Sequence, residues 1–154
     1  MLRRNGEIFC ASVFHYVDEV PGREEQQRIG IEIHGVDGQV RRMAAVDTGA
    51  TWSLMSRKNW TDLDLGGGAD LILHDEPYNI GGPASTPVDI YKTCVVLSST
   101  QGEELAIEGV CIAVTDEWKD PIILGLTNML DRIRFAVDPS QGKFYFGSTE
   151  DDPS

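Results

Sequence analysis

The sequence is short of cysteine, short of basic side chains, and without any long apolar run. Its three cysteines, Cys10, Cys94 and Cys111, form an odd set with no C-x-x-C pair. A disulfide framework and a thiolate zinc cluster therefore lack their material. Each cysteine sits in apolar company (IFCASVF, KTCVVL, GVCIAV), which reads as buried, reduced thiols and predicts a reducing, cytoplasmic setting. Thirteen Lys and Arg stand against 25 Asp and Glu, a net charge of −12. Phosphate backbones and anionic membrane surfaces need a basic face, so neither nucleic acid nor a membrane is an expected partner. A solvated acidic surface accounts for the charge. The first segment, MLRRNGEIFCASVFHYVDEV, opens with positive charge, but Glu7 and His15 interrupt its apolar residues. Neither a signal-peptide core nor a membrane span is expected there or elsewhere.

Several kinds of chemistry are missing too. His15, His34 and His74 are scattered without H-E-x-x-H spacing, so no metal is expected. Ser53 and Ser56 lack the G-x-S-x-G elbow of a serine hydrolase. Gly66–Gly68 lacks the lysine and helix of a phosphate cradle, and no cofactor is expected.

What is present suits a small β domain. At 154 residues the chain has the length of one domain, expected over residues 1–147, with the polar, acidic 148–154 as a disordered tail. Sixteen glycines and seven prolines punctuate short apolar runs. Strands are predicted over Ile8–Tyr16, Gln27–His34, Val40–Asp47, Val88–Leu97, Leu105–Val114, Ile133–Val137 and Lys143–Gly147. In RIGIEIHG, residues Ile29, Ile31 and Ile33 alternate onto one face. Turns are predicted at Val36–Gly38 and Pro139–Gly142. A short helix is predicted over Leu126–Arg132, and a second helical turn near Ser56. The class is all-β, as a barrel or a sandwich.

The segment MAAVDTGATWSLMS carries the chemistry. An apolar strand runs into Asp47-Thr48-Gly49-Ala50, which puts a carboxylate at a strand end where the chain must turn. Composition alone yields a D-[ST]-G tripeptide in roughly one chain in ten or twenty of this size, so the tripeptide is weak by itself. A second element strengthens it. Pro121-Ile122-Ile123-Leu124-Gly125 is an apolar strand ending at a glycine, followed by LTNMLDR. Alone it would read as an ordinary buried strand.

In joint order these elements resemble the retropepsin-like aspartic proteases: strand, DTGA, glycine-tipped hairpin, apolar strand, ILG, helix and final strands. The resemblance spans about Gln27 to Gly147. It is closer to cellular DNA-damage-inducible-type domains than to viral enzymes, which commonly follow DTGA with Asp and ILG with Arg. Here Thr51 and Leu126 hold those positions, so no buried charge is stranded.

The resemblance implies a closed barrel of short strands, with a glycine-tipped flap and one short helix near the C-terminus. It also implies an endopeptidase whose catalytic loop is Asp47, Thr48 and Gly49. Ala50, Ile80, Gly81, Gly82, Leu124 and Gly125 are the expected substrate-binding residues. The flap is expected near Tyr78–Tyr91, with Leu65–Leu73 as the next candidate. The family's chemistry needs two carboxylates sharing a proton, and this chain holds one D-[ST]-G. A homodimer acting on a peptide or protein substrate is therefore implied. The alternative is a catalytically silent dimer of the same fold that binds peptides.

Overall fold

The computed structural model describes residues 2–16, 29–119 and 121–149. Gln27 and Arg28 of the first alternating run, and residues 150–154 of the acidic tail, lie outside the described residues.

Twelve strands occur among the described residues. They are β1 (Leu2–Arg4), β2 (Glu7–Cys10), β3 (Ser12–His15), β4 (Gly30–His34), β5 (Arg42–Val46) and β6 (Ser53–Ser56), then β7 (Asp70–Tyr78), β8 (Thr86–Leu97), β9 (Leu105–Thr115), β10 (Ile122–Leu124), β11 (Ile133–Asp138) and β12 (Lys143–Ser148). Six of them run in the order β4-β5-β10-β6-β9-β8, and a β4–β8 pairing closes the ring into a barrel. β7 adds to the outside of β8 and ends the sheet. A separate sheet, β11-β12-β3, packs Phe144 and Phe146 onto the barrel core.

The alternation of strand side chains builds two cores from one set of strands. Ala44, Met55, Ile112, Val114, Ile122 and Leu124 point into the main core with Ile31 and Ile33. Their neighbours Ala45, Leu54, Ala113 and Ile123 point the other way, into a smaller cluster with Val88, Ile90 and Trp118. Both faces of these strands are covered, which is why they read as unbroken apolar runs. The smaller cluster carries the candidate site.

The helical expectations divide. The turn near Ser56 is the α-helix, α1 (Arg57–Asp62); Ser56 Oγ caps it by accepting the Asn59 N–H at 3.1 Å. The expected helix over Leu126–Arg132 is instead a run of turns ending in a 3-10 segment, Leu130–Arg132. Asn128 explains the difference. Its φ of 56° is left-handed, so the chain cannot stay on the α path, and the Leu130 N–H reaches back to Gly125 C=O instead.

Candidate active site

The site is built where β5 hands over to β6. These strands flank the Asp47 loop, yet they do not pair with each other; β10 lies between them. β10 runs parallel to β5, with Ile123 beside Ala45 and Leu124 beside Val46, and antiparallel to β6, with Ile123 beside Leu54. The loop must therefore pass over the end of β10, and backbone bonds strap it there. Asp47 N–H donates to Leu124 C=O at 3.0 Å. Leu126 N–H donates to Ala50 C=O and Thr127 N–H to Thr51 C=O, both at 2.8 Å. Gly125 N–H adds a bond to Ser53 Oγ at 3.0 Å. At Gly125 the backbones are so close that a Cβ would sit 2.5 Å from the Trp52 carbonyl oxygen. Only glycine fits there.

Within the loop, Gly49 N–H donates to Asp47 Oδ1 at 3.0 Å and Ala50 N–H to Asp47 C=O at 3.2 Å. The turn thus aims the carboxylate that the strand end presents. Asp47 is half-buried; Thr48 and Gly49 are exposed beside it.

Asp47 opens onto a cavity of about 460 Å³. The loop contributes Gly49, Ala50, Thr51 and Trp52. Leu54, Ile123 and Trp118 come from the smaller core, and the Trp118 indole N–H is anchored on Pro121 C=O at 2.9 Å. The β7–β8 hairpin supplies Tyr78, Asn79 and Ile80 from across the opening. Burial holds the Tyr78 phenol above its usual range; a Trp52 backbone hydrogen bond pulls it down, and the nearby Asp47 charge pushes it up. The hairpin thus reaches the Asp47 loop itself.

Of the expected residues, Asp47, Gly49, Ala50 and Ile80 line this cavity. Leu124 is buried behind it, where its carbonyl holds the loop, and Gly125 forms the close crossing. Gly81 and Gly82 are exposed at the hairpin tip, outside the lining. Gly81 has φ of 98°, and its N–H donates to Asn79 Oδ1 at 2.9 Å, so this turn requires its glycine. Sequence reasoning left out Thr51, Trp52, Leu54, Tyr78, Asn79, Trp118 and Ile123. Trp118 is buried while also forming cavity wall. Leu54 and Ile123 had a usable signal, since each sits on the cavity side of a strand whose neighbours face the main core.

No family model and no curated protein matches the sequence. Among solved structures, the chain is similar to a retropepsin-like aspartic protease from Rickettsia conorii. The identity is 14%, the TM-score 0.55, and 87% of each chain is covered. It is also similar to the retroviral protease-like domain of Ddi1 from Leishmania major. There the identity is 18%, the TM-score 0.52, and 81% of this chain and 98% of that one are covered. The fold is retropepsin-like.

At these identities the likeness concerns the path of the backbone. The retropepsin-like fold accounts for the closed barrel, the strand inserted beside the Asp47 loop and the hairpin over the cavity. It does not account for a polar cluster on that hairpin. One polar atom from each of His74, Asp75 and Asp89 lies within 4.8 Å of the others. This is an ion-pair cluster, because a protein cation already serves it: Arg57 Nη2 donates to Asp89 Oδ2 at 2.8 Å. No helix among the described residues is long and apolar enough to cross a membrane.

Proposed function

We propose that the chain is an aspartic endopeptidase that works as a homodimer, with Asp47 of each copy facing the other across a twofold axis. The observation that carries this reading is the half-buried Asp47 at the edge of a cavity roofed by the β7–β8 hairpin. One carboxylate is half of the required machinery. Two, held about 3 Å apart, cannot both ionise and so share a proton. The ionised member takes a proton from a water, while the protonated member hydrogen-bonds the scissile carbonyl. An extended peptide fits between hairpin and floor as an added strand. The exposure of Thr48 and Gly49 supports the dimer, since both are free to meet a second loop. The apolar lining of Leu54, Ile80, Trp118 and Ile123 supports binding of apolar substrate side chains.

The test is cleavage of a peptide library by the wild type and by Asp47→Asn, which matches the native shape but accepts no proton. Turnover should fall by about a thousandfold, within the usual range for general acid–base groups, with melting temperature unchanged. Excess Asp47→Asn chain mixed with wild type should suppress activity through mixed dimers. Wild-type activity should also fade as rising pH strips the shared proton. Undiminished cleavage by Asp47→Asn would end the assignment. A folded wild type that binds peptides without cutting them would leave the binding module in its place.

A further inference from the structure

The outer strand of the hairpin roof, β7, has little to hold it by burial. Leu71, Ile72 and Leu73 of β7 are 52%, 50% and 42% exposed, and β7 ends the sheet. Its ladder to β8 is also interrupted. Leu73 pairs with Ile90 and Glu76 with Val88, so three steps along β7 face two along β8. The surplus residue lies in the His74–Asp75 bulge, where Asp75 has a left-handed φ of 52°. Beyond that ladder, a strand of this kind is held by its polar ties.

Those ties converge on Asp89 of β8. Its Oδ1 accepts from His74 Nδ1 at 2.7 Å and from the Asp75 N–H at 3.3 Å, which closes the bulge. Its Oδ2 accepts from Arg57 at 2.8 Å. Arg57 opens α1, directly after the strand that leaves the Asp47 loop. It also donates to the Tyr91 hydroxyl at 3.2 Å, and Tyr91 stacks on Trp60 of the same helix at 4.6 Å. One carboxylate thus joins the outer hairpin strand to the helix behind the loop.

We propose that Asp89 is a positioning residue that anchors the hairpin over the site, and that His74 makes this anchor pH-dependent. The proposal rests on reading the hairpin as the moving roof of a peptidase. The groups facing His74 are Asp89 from β8, Asp75 within β7, and Arg57 from α1. The Asp89 hydrogen bond is the largest influence and raises the imidazole above 6.5, Asp75 adds to it, and Arg57 opposes it. Burial pushes Asp89 up, but its bonds to Arg57 and His74 win and hold it below 3.8. His74 is raised on folding, so its tie is complete below 6.5 and is lost as pH rises through its folded value. The anchor is therefore whole in the acid range where a shared-proton carboxylate pair works, and it loosens as pH rises through the raised His74 value.

Amide hydrogen exchange of the full chain tests this without reference to turnover. Peptides covering 76–88 should be followed at about pH 5 and about pH 8, corrected for intrinsic rates. Wild-type exchange there should speed up roughly two- to fivefold at the higher pH, as fits one exposed ion pair. His74→Gln, a substitution at an exposed position, should exchange at the faster level at both pH values. Asp89→Asn should exchange roughly tenfold faster than wild type at both, having lost charged hydrogen bonds on both oxygens. Peptides from β5 should be unchanged throughout. A wild-type profile that ignores pH, or a His74→Gln profile that keeps the wild-type response, overturns the proposal. Cleavage measured alongside separates the two readings. Exchange coupling without peptidase activity would sink the protease and keep the anchor; activity with flat exchange would do the reverse.

Discussion

The Asp47 loop and the hairpin that roofs it lie on opposite sides of one cavity, and they are held in opposite ways. The loop is gripped by backbone bonds from both sides of β10, over a core in which Ile122, Ile123 and Leu124 are all buried. The hairpin projects an exposed outer strand with two register shifts, tied to the body by its ladder to β8 and by side chains. Catalysis by a carboxylate needs fixed geometry, so many short, mutually dependent bonds suit the floor. Under the proposed peptidase function, a roof that admits a peptide needs few enough contacts to open, and exposed ladders with little burial open most readily. The contrast teaches that rigidity here is local, and that substitutions should cost stability on one side and turnover on the other.

Four substitutions sharpen that contrast. The largest effect is expected from Trp118→Ala, which empties cavity wall that is also core. It should cost about 3–5 kcal/mol of unfolding free energy in denaturant titration. Next is Gly125→Ala, which forces a Cβ against the Trp52 backbone. It should cost about 2–3 kcal/mol and displace the loop, so cleavage should fall with stability. A neutral result at Gly125 would mean that the crossing can part, and the floor would not be the rigid side. On the roof, Gly81→Val meets open space but a φ of 98°. It should cost roughly 1–2 kcal/mol by denaturation and slow cleavage out of proportion, mainly in kcat. Smallest is Gly82→Ala, with a single ordinary contact to Ala84 and a φ outside the left-handed region. Its melting temperature should match wild type, within about 0.5 kcal/mol. A large loss there would show the tip to be packed and would break the comparison.

The two sides also differed in how openly the sequence displayed them. Strands β4, β5, β8, β9, β11 and β12 were visible because each buries a periodic or continuous apolar face. The Pro139–Gly142 hairpin was visible from its proline and glycine, and Gly142 takes a positive φ of 60° there. β7 was not visible as a strand. It buries almost nothing, carries Pro77 and contains two register shifts, so neither period nor propensity marks it. The helix expected over Leu126–Arg132 failed for a related reason. LTNMLDR has acceptable helical composition, but the bonds from Leu126 and Thr127 to the Asp47 loop take those residues away from a helix start, and Asn128 turns left-handed. Tertiary demand overrode local preference there.

The sequence by itself determined the local chemistry: a carboxylate at the end of an apolar strand, a glycine two residues on, a second apolar strand closed by Gly125, and a glycine tip between them. Each of these follows from what a few consecutive side chains can and cannot do. Only the tertiary structure decided what meets what. It inserted β10 between the strands that flank Asp47, turned Ile123 and Leu54 away from the main core, and brought Tyr78 and Trp118 to one cavity. It also joined His74 and Arg57 through Asp89. The physical reason is that strand pairing and register, which no short segment specifies alone, select the face and the neighbour of every one of these side chains.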